Sequence, residues 1–206
     1  KSISTRVQAL LPDEWRMKPN TTITSGLQYV SKRIASNDRG RHRVDQAAAF
    51  VTVNQQWGER FFASPALRAE WNERSGWEII PQVNLSYRVH QLQLRASAGK
   101  TIRDADFTER YNNYNKTFVA SGRIGDPGLS AEQSISYETG ADFFLNKELK
   151  LSATFFQRYH SKLIDYVPTP YSQMPRQVNL SPTGSYALAK NISSVNTTGL
   201  EADLQW

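Results

Sequence analysis

From Glu132 onward the chain alternates between apolar and polar positions. Ile135, Tyr137, Thr139, Ala141 and Phe143 fall on one face, and Ser134, Ser136, Glu138, Gly140 and Asp142 on the other. A two-residue period marks a strand with one apolar and one polar side. The same pattern recurs along the chain and predicts about ten strands. They cover residues 3–11, 21–33, 43–57, 60–71, 77–89, 91–101, 132–144, 149–163, 185–192 and 195–206. In 77–89, for example, Ile79, Val83, Leu85, Tyr87 and Val89 oppose Gln82, Asn84, Ser86 and Arg88.

Many of these segments are roughly eleven to fifteen residues long. Globular strands average ~5–6 residues, whereas a tilted membrane-crossing strand needs ~9–11. The connections alternate as well. Short ones at 57–60, 89–91, 146–148 and 193–194 are interleaved with longer ones at 34–42, 72–76, 102–133 and 164–184. An antiparallel meander across an outer membrane has this parity, with tight turns on one side and long loops on the other. A soluble sandwich with Greek-key connections has no reason to keep it. Trp57, Phe61, Trp71, Trp77, Tyr87, Tyr159 and Tyr166 collect near strand ends, as interfacial aromatic girdles do. Loops 102–133 and 164–184 are long enough to carry function, and 104–114 is a candidate for a short helix.

Composition narrows the chemistry. The chain has 206 residues, a formal charge of +6, a sequence pI near 9.6 and a mean hydropathy of −0.57. No run of ~20 apolar residues exists, which excludes a transmembrane helix but not a barrel. With no cysteine there is no disulfide framework and no zinc–thiolate site. The three histidines, His42, His90 and His160, stand in no metal-ligand motif. No Gly-x-Ser-x-Gly elbow and no glycine-rich phosphate loop occurs, so no cofactor and no enzymatic site is expected. Lys32, Arg33, Arg39, Arg41 and Arg43 form a basic stretch with His42. Guanidinium groups suit phosphate, so Arg33, Arg39, Arg41 and Arg43 are candidates for lipopolysaccharide contact. A nucleic-acid partner is not expected, because no recognition helix or binding fold accompanies the charge.

Two stretches resemble a known family. In 102–111, Arg103, Phe107, Glu109 and Tyr111 match the Phe-Arg-Ala-Pro-x-Phe-x-Glu-Leu-Tyr signature of TonB-dependent outer-membrane receptors. Gly125, Pro127, Leu129 and Glu132, followed by Tyr137, Glu138 and Gly140, resemble that family's Gly-Asn-Pro-x-Leu-Lys-Pro-Glu and Tyr-Glu-x-Gly segments. Gly199-Leu200-Glu201 is similar to a later Gly-x-Glu strand. The departures are Ala105 at the signature proline, with Asp104 and Asp106 beside it, and Ser130-Ala131 in place of Lys-Pro.

The resemblance implies an all-β fold: an antiparallel up-and-down meander of about ten long strands, part of a larger transmembrane β-barrel of about 22 strands. Residues 1–206 are then expected to be a partial barrel, a fragment without the plug domain, liable to self-associate through its open sheet edges. The implied function is an outer-membrane receptor for a scarce, bulky nutrient such as a ferric siderophore, cobalamin or glycan. Import would be powered by the TonB complex acting through the plug, and no bond would be made or broken. Ligand-contact candidates in the loops are Arg103, Phe107, Glu109, Tyr111, Asn112, Asn113 and Tyr114. A small passive porin-like barrel and a soluble β-sandwich binding module are the alternatives.

Overall fold

The computed structural model describes residues 2–146 and 148–206. Lys147, in the expected turn 146–148, lies outside the described residues. Nine long strands form one sheet: β1 (Ser2–Lys18), β2 (Thr21–Ser36), β3 (Gly40–Trp57), β4 (Phe61–Asn72), β5 (Gly76–Val89), β6 (Leu92–Arg103), β8 (Glu132–Phe144), β9 (Lys150–Ser161) and β12 (Val195–Gln205). Each pairs antiparallel with the next in that order, leaving β1 and β12 as the edges. The remaining strands, β7 (Gly122–Ile124), β10 (Ile164–Thr169) and β11 (Tyr186–Asn191), form a separate three-stranded sheet in the order β10-β11-β7. No helix of the described residues is long and apolar enough to cross a membrane.

Register keeps the two faces distinct across the whole sheet. Leu11, Leu27, Ala49, Ala69 and Ile79 occupy one row from β1 to β5. Tyr87, Leu94, Ala141, Ala153 and Ala202 occupy another from β5 to β12. This face is exposed: Leu27 is 60%, Trp77 71% and Leu200 74% accessible. The opposite face carries rows such as Asn84, Ser97, Glu138, Phe156 and Gly199. There the Phe156 ring lies over the glycine, where a Cβ at Gly199 would collide with it. A one-residue slip would exchange the faces, and no second sheet covers either one. The sandwich alternative therefore does not describe this fold. An apolar face this broad is foreign to a soluble monomer and suits lipid.

Prolines punctuate the ladders, because each lacks the N–H that a ladder needs. Pro12 sits on the edge strand β1. At Pro65 the β3–β4 pairing is interrupted between Thr52↔Ala66 and Gln55↔Ala63, and Ser64 Oγ donates to Asn54 Oδ1 across the gap (2.7 Å). Beyond Pro81 the β5–β6 ladder stops at Gln82↔Gly99, although β5 continues to Gly76 and β6 to Arg103.

The connections keep the expected parity with two revisions. Strands run into the longer loops expected at 34–42 and 72–76, leaving only tight turns at 37–39 and 73–75. The strand expected at 185–192 leaves the meander: β9 pairs directly with β12, so 162–194 is one excursion and 193–194 belongs to it. The other long excursion, 104–131, leaves from the same end of the sheet.

Candidate functional site

The two excursions fold together as a cap. It begins at Asp106, whose carboxylate accepts from Thr108 N (2.7 Å) and Glu109 N (2.8 Å), while Glu109 Oε2 accepts from Asp106 N (2.8 Å). This reciprocal capping box starts α1 (Phe107–Tyr111), the short helix expected within 104–114. Glu109 also receives Arg103 through two hydrogen bonds (2.9 and 3.0 Å), and Arg103 grips Glu132 through two more (2.6 and 2.7 Å). Glu132 Oε1 in turn accepts from Ile164 N at the start of β10 (2.7 Å). Three positions of the resembled motifs thus tie the end of β6, α1, β8 and β10 into one network.

The departures from the motif also have places. Asp104 pairs with the buried Arg110 (2.6 Å) and accepts from Asn72 on β4 (3.1 Å). Ala105 packs with Leu129 and Ala189. Gly125 lies so close to the end of α1 that a Cβ would stand 2.5 Å from the Arg110 carbonyl carbon and the Tyr111 nitrogen; only glycine fits there.

From the second excursion, β11 pairs in parallel with β7 and antiparallel with β10. Val119 forms an isolated bridge with Leu180. Val119, Ile124, Met174, Leu180, Tyr186 and Leu188 make a shared core. At its centre the Tyr186 hydroxyl donates to Val119 O (2.8 Å) and accepts from Ser181 N (2.7 Å). Tyr166, expected in an aromatic girdle, instead packs in the cap, with the Arg123 guanidinium 5.0 Å from its ring centre.

Of the ligand-contact candidates, Tyr111 and Tyr114 share one aromatic cluster. The Tyr111 ring stacks on His42 of β3 at 3.4 Å and 5° and meets Tyr114 edge-on at 6.0 Å. Arg74, from the β4–β5 turn, lies over the Tyr111 ring (5.2 Å) and donates to its hydroxyl. Asn112 and Asn113 both donate to Arg123 O (2.8 and 2.9 Å). Arg176 covers the Tyr114 ring at 4.3 Å and donates to Tyr114 O (2.8 Å). Burial, with the Asp126 charge nearby, pushes the Tyr114 phenol above its ordinary value. Phe107 is half-buried on the first turn of α1, and Arg103 and Glu109 are held in the ion-pair network. The period-two reading passed over Arg74, Arg123, Arg176 and Tyr186, because contacts within the cap follow no periodicity.

The basic candidates divide. Arg33 and Arg43 are direct cross-strand partners and Arg41 pairs with Ala35; by parity with Leu27, Tyr29 and Ala47, all three belong to the apolar outer face. Arg43 is held by Asp45 (2.8 Å), and Arg33 and Arg41 form no ion pair among the described residues. Arg39 sits in the 37–39 turn beside Asp38 (3.9 Å). The Ser36 hydroxyl, with Arg39 adding its charge, holds the Asp38 carboxyl below its usual range. On the polar face Asp142, almost fully buried, binds Arg95 (2.8 and 3.2 Å) and Ser152 (2.7 Å), with Lys150 at 3.6 Å.

A family model described as "TonB dependent receptor-like, beta-barrel" matches residues 4–206. No curated protein sequence matches the chain. Among solved structures, the chain is similar to the siderophore receptor PirA from Pseudomonas aeruginosa, with a TM-score of 0.75 at 16% identity, over 98% of this chain and 36% of that one. It is also similar to the ferric enterobactin receptor PfeA from Pseudomonas aeruginosa (TM-score 0.79, 16% identity, 98% and 33% covered). The FrpB iron transporter from Neisseria meningitidis gives a TM-score of 0.71 at 13% identity, with 98% and 33% covered. The chain therefore spans about a third of the length of the solved structures it matches.

Proposed function

Because the chain belongs to the TonB-dependent-receptor β-barrel family, we propose that it forms part of the wall and cap of an outer-membrane receptor that imports a metal chelate. The observation that carries this reading is the largely apolar outer face that the strand register extends across all nine strands, backed by a polar face. That pairing gives lipid on one side and a hydrated lumen on the other. A ferric siderophore is the favoured ligand, because relatives of similar fold are described as siderophore and ferric enterobactin receptors. Cobalamin and glycans are the other candidates.

In this reading residues 1–206 are barrel domain, and loops 102–133 and 164–184 face the outside of the cell. Tyr111, Asn112, Asn113 and Tyr114, with Arg103, Phe107 and Glu109, form the cap that meets the ligand. Arg33, Arg41 and Arg43, on the outer face at the loop end of the sheet, contact lipopolysaccharide phosphates, and Arg39 reaches them from the adjoining turn. Transport draws on TonB through a plug, and no bond is made or broken. The edges β1 and β12 pair with further barrel strands, and a chain of only 206 residues self-associates through them.

The test is uptake of iron-55-labelled chelates by cells with and without the receptor, each with and without TonB. Saturable uptake that needs both supports the reading. Non-saturable flux independent of TonB, with ohmic conductance in planar bilayers, would replace it with the passive porin.

A further inference from the structure

The wall forks above Pro81. β5 stays paired with β4 up to Gly76, and β6 with β8 up to Arg103, but β5 and β6 part from each other beyond Gln82↔Gly99. Continued in the same register, the ladder would set Ile80 against Thr101, Ile79 against Ile102 and Glu78 against Arg103. Instead the fork opens on the outer face into a groove of about 350 Å³, with Pro81, Val83, Ala98, Lys100, Ile135 and Tyr137 in its lining. Side chains strap it together: Glu78 accepts from Lys100 (2.6 Å) and from Gln133 (2.8 Å).

Arg103, at the loop end of β6, has three carboxylates within its scope. Glu132 is its cross-strand partner on β8 and holds it at 2.6 and 2.7 Å. Glu109, on α1 of the cap, holds it at 2.9 and 3.0 Å. The third is Glu78, which Arg103 would face across a closed β5–β6 ladder, and whose one ion pair among the described residues is with Lys100. A guanidinium can serve two carboxylates through its fork of donors. Glu132 keeps its place in the β6–β8 register whatever the fork does. The second carboxylate decides whether this end of the wall is tied to the cap or closed on itself.

We propose that Arg103 is the switch of a two-state seam in the wall. With the cap seated, Arg103 joins Glu132 to Glu109 and the fork stands open. With α1 lifted, Arg103 exchanges Glu109 for Glu78, and β5 zips to β6 through Ile80, Ile79 and Glu78. The exchange is even in charge, because one Arg–Glu pair is lost and another is made. Three residue pairs of ladder are gained while the Glu78 strap and the hold on α1 are given up. Pro81 has no N–H, so the closed ladder stays short of one bond. Gains and losses of this kind offset each other, as a bistable element requires. Lifting of the cap and closing of the wall are then one event. The seam goes beyond the uptake reading and does not depend on what the receptor carries.

The experiment is disulfide trapping in the full-length receptor in detergent, without chelate or TonB. Residues 1–206 contain no cysteine, and Ile79→Cys with Ile102→Cys places two thiols that become ladder partners only in the closed seam. Partners in an antiparallel ladder have Cα atoms about 4.5–5.5 Å apart, within disulfide reach. Asn84→Cys with Ser97→Cys, partners in the intact ladder, controls for oxidation. The expected result is slow trapping of the seam pair that quickens about two- to fivefold in Glu109→Gln. That change keeps the capping-box acceptor and removes its charge. Adding Glu78→Gln is expected to cancel the gain, whereas mere loosening of the strap would increase it. The proposal is overturned if the seam pair never closes while the control pair does, if Glu109→Gln leaves the rate unchanged, or if Glu78→Gln raises it. No step of the trapping involves uptake, so a negative result here leaves the uptake reading untouched.

Discussion

The sheet and the cap solve opposite problems with the same residue types. The sheet has little interior: Val30, Ile34, Val44, Ala48 and Ala63 are its buried apolar residues, while Leu27, Trp57, Trp77 and Leu200 are exposed. The cap is a small globule with a core of its own, in which Ala189 is fully buried and Tyr186 and Leu188 nearly so. A sheet whose apolar side meets lipid needs no core, only register and satisfied backbone groups. A cap standing in water must bury apolar surface to hold its shape. Stability in the first region therefore depends on the surrounding lipid, and in the second on packing.

That contrast is broken most strongly by a charge on the outer face. Leu85→Arg, in mid-β5 between Ala63 and Ala96, is expected to cost about 2–4 kcal/mol of folding in bilayers. Asn84→Arg, one position along on the polar face, is expected to cost far less. Equilibrium refolding into lipid vesicles measures both, and equal costs would refute the assignment of faces. Next comes Tyr186→Phe, which removes the hydroxyl bridging Val119 O and Ser181 N and leaves them only their mutual hydrogen bond (3.2 Å). It is expected to loosen the cap by about 1 kcal/mol while leaving the sheet intact. Hydrogen exchange would show faster exchange confined to residues 119–124 and 180–189.

A smaller effect follows from pH. Burial raises the Tyr114 phenol above its ordinary value of 10.0, so the folded cap favours the protonated form. This contribution is complete below pH 10 and is lost as the pH climbs through the raised value. Tyrosinate absorbance near 295 nm should show a late-ionising component, and cap exchange should quicken over the same range. The smallest expected change is in Arg33→Gln with Arg41→Gln, two exposed residues that form no ion pair among the described residues. Folding stability should move by no more than about 0.5 kcal/mol, while retention of labelled lipopolysaccharide in native gels should fall. Unchanged retention would remove the phosphate-contact assignment.

The same division explains how much the sequence revealed. Every long strand of the sheet was legible because lipid and lumen impose the two-residue period on it directly. Where that period lapsed, boundaries slipped: β1 continues past 3–11 to Lys18, and β2 and β3 absorb most of 34–42. The cap imposes no period. Residues 185–192 do contain a whole strand, β11, but it pairs with β10 and, in parallel, with the three-residue β7, and local pattern cannot announce those partners. At the candidate site, Tyr111 to Tyr114 were recognisable as an aromatic and amide cluster. Arg74 and Arg176, which cover the two rings, come from a tight turn and a distant loop and carried no local signal.

The β7–β11 ladder also bears on the order in which the molecule assembles. Gly122 pairs with Tyr186, and between them lie β8, β9 and β10. Closing so long a loop has an entropic cost that local hairpins avoid. The meander can zip hairpin by hairpin from β1 to β6, but residues 104–131 must wait, half-made, until the chain past 180 has emerged and turned back. Until then Val119 and Ile124 have no core to enter, so their apolar side chains stay exposed throughout that interval.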